Sequence, residues 1–152
     1  LDAALPLERA ASRLSAAVER FEQNVIRPAL AVPRGEPRLR ALMENWLTWQ
    51  NNPEMPGGCL IVAASVEFDD RPGPQRDYLV YSHQRRHDFI AMAARLAVEA
   101  GHFRPDLDVE QFSFDVNSIV LGYHHAYRML RDSQARERAR AAFERLLANS
   151  RA

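Results

Sequence analysis

Lysine, cysteine and long apolar runs are scarce or missing in this chain. All 20 basic residues are arginine, and 20 acidic residues balance them, so the formal net charge is zero. Because nucleic-acid binding depends on neutralising phosphates, a neutral chain without a basic block is a poor DNA binder by itself. The single cysteine excludes an internal disulfide, and no apolar run reaches the roughly 18 residues that a membrane span needs. We therefore expect a cytoplasmic protein with no membrane partner.

The apolar residues that are present follow a helical pattern. The 152 residues, 47% of them hydrophobic, are enough for one globular domain with its own core. Apolar residues recur at helical spacing from residue 14 to about residue 28 and again from 39 to 47, where the sequence Asn-Asn-Pro at 51–53 ends the pattern. A glycine pair at 57–58 precedes Cys59–Phe68, whose side chains are small or apolar nearly all round. We expect this segment to be the most buried helix.

A long helix is predicted to follow, from about Pro74 to Ala100. Asp69 and Asp70 would suit its N-terminus, where backbone N–H groups need acceptors, and Pro74 fits its first turn. Gly101 is a typical C-terminal stop. One face carries Leu79, Ile90, Ala93 and Ala97, and the neighbouring face carries Tyr78, Tyr81, Phe89, Met92 and Leu96. Such a wide apolar surface predicts contacts with several helices.

The last two predicted helices form a hairpin. Asp108 and Gln111 predict an N-cap with its reciprocal partner, and the helices span about 109–131 and 134–149. The two residues between these helices force them to run antiparallel. We find no convincing alternating strand, although residues 60–66 could pass for a buried strand by composition. The predicted fold class is all-α.

An apolar stripe runs along both helices of the hairpin. It either packs on the domain's own core or pairs with a second copy in a four-helix bundle about a two-fold axis, and the residues alone leave both interpretations open. The residues concerned are Phe112, Val116, Ile119, Val120, Tyr123, Tyr127, Leu130, Ala139, Ala142, Phe143 and Leu146.

Catalytic and metal-binding patterns are weak. His83 and His87 are four residues apart, a spacing that transition metals use, but two ligands do not make a site. Cys59 could be a redox sensor, yet the apolar residues after it favour a buried structural role. The carboxylates at 67, 69 and 70 fit helix caps and ion pairs better than an acid-base set, and no nucleophile motif or phosphate loop is present. We expect no enzymatic activity, no metal and no cofactor.

Several blocks of sequence resemble the C-terminal domains of TetR-type transcriptional regulators. They are GGCLIVAASVEFDDRPGP at 57–74, EAGHFRPDLDVEQFSF at 99–114 and GYHHAYRMLRDSQARERARAAFERLL at 122–147. AVERFEQNVIRPAL at 17–30 is similar to the helix that links the DNA-binding head of these regulators to their body. The resemblance implies a ligand-responsive regulator, a repressor, that forms a homodimer through the C-terminal hairpin.

The resemblance also implies a division of the chain. Residues 14–152 would form the effector-binding and dimerisation domain, and residues 1–13 would be a remnant of a helix-turn-helix head that contacts operator DNA. The alternative is a helical dimer that binds no DNA and acts as a regulatory or scaffolding domain. In the family, a small apolar or aromatic effector lies among the middle helices. The matching inward-facing residues are Met43, Trp46, Cys59, Val62, Ala63, Val66, His83, Arg86, Phe89, Ile90 and Tyr123.

Overall fold

The structure is a bundle of helices that contains no strand in its described part. The computed structural model describes the backbone of residues 4–152 and the side chains of residues 9 and 11–152. The helices are α1 (Ala4–Phe21), α2 (Arg27–Leu30), α3 (Glu36–Gln50), α4 (Leu60–Phe68), α5 (Pro74–Glu99), α6 (Val109–His124) and α7 (Ala135–Ser150). Within residues 4–152, no helix is both long and apolar enough to cross a bilayer. The all-α prediction is confirmed.

The first helix is longer than the apolar pattern predicted. It begins at Ala4, and a π-helical turn at Glu22–Ile26 joins it to α2. The backbone N–H of Arg27 donates to the carbonyl of Glu22, which is the wider spacing of a π turn. We call residues 4–30 the linking segment. The proposed head remnant at 1–13 lies outside the described residues in its first three positions and within α1 in the rest.

The predicted helix caps agree with the structure at α6 and differ from it at α5. The Asp108 side chain accepts from the backbone N–H groups of Glu110 and Gln111 at 3.1 and 3.0 Å, so the predicted cap is confirmed. The Gln111 side chain donates to Asp115 instead of returning to the cap. The prediction that Asp69 and Asp70 cap α5 is wrong. The reason is that Asp69 ends α4 as its C-cap and a turn follows, so Gly73, at φ 147° and without a side-chain cap, occupies the N-cap position of α5.

The core lies between α3, α5, α6 and α7, and the linking segment packs on α3 and α5. Its fully enclosed side chains include Val25, Leu47, Ile90 and Leu147, each 0% exposed. On α5, the predicted core face is confirmed, since Leu79, Ile90, Ala93 and Ala97 are all buried.

The prediction that Cys59–Phe68 is the most buried helix is wrong. In α4, only Ile61 and Ala64 are buried, and Val66 is 71% exposed. The reason is that α4 packs on α1 and α5 along one side only, so its opposite apolar face stays at the surface of the protomer.

A glycine and a histidine connect the start of α3 to the loop after α5. The backbone N–H of Glu36 donates to His102 Nδ1 at 3.1 Å. Gly35 has φ +102°, and a Cβ added there would lie 2.2 Å from the same nitrogen. Position 35 therefore favours glycine both for its backbone conformation and for space.

Candidate functional site

A cavity of about 330 Å³ lies between the linking segment and α5. On the α5 side, its lining residues recur at spacings of three and four, so one helical face supplies them. Ile61 of α4 closes one part of the wall. The lining residues are Val18, Phe21, Glu22, Ile26, Arg27, Leu30, Ile61, Tyr78, Tyr81, Ser82, Arg85, Arg86 and Phe89. The volume is at the lower end of the range for small-molecule sites, and the walls are mainly apolar with a few polar groups.

Arg86 is the central polar group of this cavity. Its guanidinium carbon lies 5.5 Å from the centre of the Phe21 ring and 5.1 Å from that of the Trp46 ring, so it is held by cation-π contacts. The two rings meet edge to face at 5.3 Å. Burial lowers the pKa of Arg86 to about 10, which still leaves the side chain charged at neutral pH. No carboxylate forms an ion pair with it among the residues whose side chains are described.

His83 connects Arg86 to α4 through a hydrogen-bond relay. Arg86 Nη2 donates to His83 Nδ1, which makes Nε2 the protonated ring nitrogen. Nε2 then donates to Ser65 Oγ at 2.6 Å, and Ser65 donates to the carbonyl of Ile61, also at 2.6 Å. Burial, together with the charge of Arg86 and then His87, lowers the pKa of His83 to about 4. The imidazole is therefore neutral at pH 7.

The cavity carries more positive than negative charge. Three arginines, Arg27, Arg85 and Arg86, line it together with one carboxylate, that of Glu22. Glu22 Oε1 lies 3.8 Å from Arg85 Nη1, a loose ion pair whose two side chains are 41% and 61% exposed. Although the chain as a whole is neutral, this cavity favours an anion.

A protein-family comparison agrees with this arrangement of helices. A family model described as "Tetracyclin repressor-like, C-terminal domain" matches residues 35–143, which is more than half of the chain. The chain belongs to this TetR-type family. The resemblance noted in residues 57–147 is thereby confirmed.

A solved structure shows the same fold as this TetR-type domain. The crystal structure of a TetR transcriptional regulator from Chloroflexus aurantiacus J-10-FL matches with a TM-score of 0.74 at 18% sequence identity. The match covers 88% of this chain and 66% of that regulator, so the domain spans slightly less than two thirds of the regulator's length. At this identity, the similarity shows the fold alone. No curated protein matches the sequence.

The structure places the predicted effector-binding residues of the TetR-type domain in several different environments. Arg86 and Phe89 line the cavity, Trp46 stacks on Arg86, and His83 hydrogen-bonds to it. The others lie elsewhere. Met43 and Ile90 are in the core, and Tyr123 is buried with its ring centre 5.7 Å from that of Tyr127. Val62 is partly buried and Val66 is exposed. Cys59 and Ala63 line a separate cavity of about 400 Å³ between α1, α3 and α4.

Sequence reasoning missed most of the wall that the linking segment supplies. Phe21, Ile26 and Arg85 were not among the predicted effector-binding residues, yet all three line the cavity. The signal was present on α5, because Tyr78, Tyr81 and Phe89 were already assigned to one face. The linking segment showed only a helical apolar pattern up to about residue 28, and such a pattern does not distinguish a cavity wall from core packing.

Most residues predicted to form the dimer interface are buried within the protomer. Phe112, Val116, Val120, Tyr123, Ala139 and Phe143 are buried, Ile119, Ala142 and Leu146 are partly buried, and only Tyr127 and Leu130 are exposed. The physical reason is that α6 packs on both α5 and α7. Besides Tyr127 and Leu130, the exposed apolar side chains of the hairpin are Phe114, Leu121 and Met129, which were not predicted.

The histidine pair on α5 is used in hydrogen bonds. His83 contacts Ser65, and His87 Nδ1 lies 2.8 Å from Ser113 Oγ. Within the described residues, no group of three or more His, Cys, Asp or Glu side chains could hold a metal ion.

Proposed function

We propose that this chain is the effector-binding and dimerisation domain of a ligand-responsive TetR-type transcriptional regulator, a repressor that acts in the cytoplasm. The observation that supports this proposal is the position of the cavity. Its walls are α5 on one side and the linking segment on the other. A small apolar or aromatic effector in this position would contact the helix that leads toward a DNA-binding head.

The mechanism that fits this position is a shift between two populations of the linking segment. Glu22 and Ile26 of the π turn and Arg27 of α2 all line the cavity. A ligand that fits one arrangement of this segment better than another would favour that arrangement. In a dimer, the change would alter the separation of two heads that must reach major-groove half-sites about 34 Å apart. Residues 1–13 would belong to such a head, and operator DNA would be its partner.

Blocking the cavity tests whether it is the effector site. Ser82 lines the cavity on α5, so Ser82→Trp would fill part of it, whereas Met92→Trp changes an exposed residue of the same helix. A ligand at about 100 times its dissociation constant stabilises the folded state by about 2.7 kcal/mol. We expect a thermal-shift screen of apolar and aromatic metabolites to find compounds that raise the Tm of the wild type and of Met92→Trp. The same compounds should leave the Tm of Ser82→Trp unchanged.

The result that contradicts the assignment is equally specific. If the compounds raise the Tm of Ser82→Trp as much as that of the wild type, they bind somewhere else. The proposed shift of the linking segment on ligand binding is tested separately, by crystal structures with and without a bound compound. A linking segment in the same position in both would contradict the proposed shift.

Dimerisation would use the exposed face of the hairpin. Leu121 of α6 and Met92 of α5 are each 53% exposed, which makes them a matched pair. We expect Leu121→Glu to weaken the dimer in sedimentation analysis, because a charge would be buried at the interface, and Met92→Glu to leave it intact. A dimer that survives Leu121→Glu and dissociates with Met92→Glu would assign the interface to α5.

A further inference from the structure

We infer that the cavity between α5 and the linking segment binds an amphipathic carboxylate, whose anionic group contacts Arg86 and whose apolar body lies against the aromatic and aliphatic walls. This inference rests on the proposed function and names the chemical class of its effector.

The first reason is that Arg86 has hydrogen-bond donors without acceptors. A guanidinium has five N–H groups, and the described part of the chain accepts only one of them, through His83 Nδ1. The Nε atom is enclosed and has no partner among the described residues. The two aromatic rings lie 5.5 and 5.1 Å from the guanidinium carbon and carry no oxygen acceptor within reach of it, so they leave the donors on the guanidinium edge without a hydrogen-bond acceptor. A planar carboxylate would match that edge with two parallel hydrogen bonds.

The second reason is that the neighbouring relay cannot supply an anion. Every hydrogen bond in it is donated away from Arg86, first to His83, then to Ser65 and then to the Ile61 carbonyl. The histidine therefore offers Arg86 a neutral lone pair and nothing more. A buried cation without a counter-ion is costly, and its cost falls when an anionic ligand arrives.

The third reason is the charge of the remaining walls. Among the residues whose side chains are described, Glu22 is the one carboxylate on the wall, and its ion pair is with Arg85. Arg27 adds a further positive charge, on the exposed side of the cavity. The other walls are mainly aromatic and aliphatic, and a ligand carrying a single anionic group on an apolar body satisfies both features.

The inference is tested with two pairs of probes that differ only in charge. Naphthoate and naphthamide have an aromatic body, and decanoate and decanamide have an aliphatic one. Titration calorimetry with the full chain at pH 7.0 should give a carboxylate affinity at least about tenfold above that of the matching amide, since hydrogen bonds between charged groups are stronger. The pair with the larger difference identifies the preferred body.

Two variants show whether Arg86 is responsible. Arg86→Met removes the charge but keeps the stem, and Arg95→Met makes the same change at an exposed position of α5. We expect Arg86→Met to bring the carboxylate affinity down to that of the amide and Arg95→Met to keep the difference. The comparison of each carboxylate with its amide uses the wild type alone, so it tests the inference even if Arg86→Met does not fold.

Each other outcome overturns the inference in a distinguishable way. If amides bind as tightly as carboxylates, or if only amides bind, the cavity is an effector site for neutral ligands and the proposed function stands. If none of the four probes binds the wild type, the carboxylate assignment fails, and a screen that also finds no cavity ligand removes the proposed function with it. If Arg95→Met abolishes the difference as fully as Arg86→Met, the anion is attracted by overall charge and not by Arg86.

Discussion

The neutral state of His83 predicts a specific loss of stability in mild acid. In the folded protein, its two ring nitrogens accept from Arg86 and donate to Ser65. His83→Gln keeps an oxygen that can accept and an amide that can donate, but it cannot take up a proton. We expect the variant to be close to the wild type at pH 7.5 and more resistant than the wild type as the pH falls.

The magnitude follows from the pKa of His83 in the two states. The ordinary pKa of 6.5 applies to the unfolded chain, and the folded pKa is about 4. As the pH falls through about 6.5, the unfolded chain binds a proton that the folded protein does not, so stability present above this pH is lost progressively until about pH 4. The full shift corresponds to about 3 kcal/mol. Because the ring is partly accessible to solvent, we expect a measured loss of about 1–2 kcal/mol.

Urea denaturation at a series of pH values measures this loss. With a slope of about 2 kcal/mol per molar, the wild-type midpoint should fall by about 0.5–1 M more than that of His83→Gln between pH 7.5 and 4.8. Burial also lowers the pKa of His124, but both proteins share this effect and it cancels. The arginine-paired carboxylates of Glu36 and Glu144 have lowered pKa values, so they lose their contribution below this window.

The control is Met92→Gln, which puts the same side chain at an exposed position of α5 without changing any titratable group, and it should leave the wild-type pH dependence unaltered. If His83→Gln loses as much stability between pH 7.5 and 4.8 as the wild type does, the histidine is not the group that titrates, and the relay as described is refuted.

Other predictions concern the framework of the fold. Gly35→Ala should cost about 1–3 kcal/mol through its positive φ and its histidine neighbour, whereas Gly57→Ala, which meets nothing within 4 Å, should cost less than about 1 kcal/mol in the same melting experiment. Asp108→Ala should cost about 1 kcal/mol by removing the α6 cap, and an unchanged Tm would contradict this. Leu47→Ala should cost about 2–5 kcal/mol by leaving a cavity at a fully enclosed site, while Val66→Ala at an exposed site should change the denaturation midpoint very little.

Local chemistry made the helix boundaries predictable. Asp108 before an amphipathic run, Pro74 at a first turn and Gly101 after a last turn each act within four residues, and all three occupy the predicted positions. The exception is the aspartate pair at 69–70. There, three residues separate Asp70 from Pro74, where the next helix begins. The aspartates therefore lie at the end of α4, although the sequence pattern predicted them at the start of α5.

Burial was harder to predict, because it depends on what packs against each face. Apolar composition predicted a buried α4, yet only two of its side chains are buried because few helices contact it. Similarly, the stripe of α6 that could have faced a second copy faces α5 and α7. His83 and Arg86 were recognised as informative because polar groups on an apolar face need partners. Their partners Phe21 and Ser65 could not be found from sequence, because they lie 65 and 18 residues away along the chain.

The π turn at Glu22–Ile26 also fixes the rotation of α1 about its own axis. Each residue of an α-helix turns the chain by about 100°. Deleting the exposed Gln23 would let this stretch close as an ordinary α-helix, and everything before it would rotate by that angle relative to the body. Leu14, which is now 3% exposed, would then leave the core. The number of residues in this turn therefore sets the rotation of α1, and with it the direction in which the N-terminal side of the molecule faces.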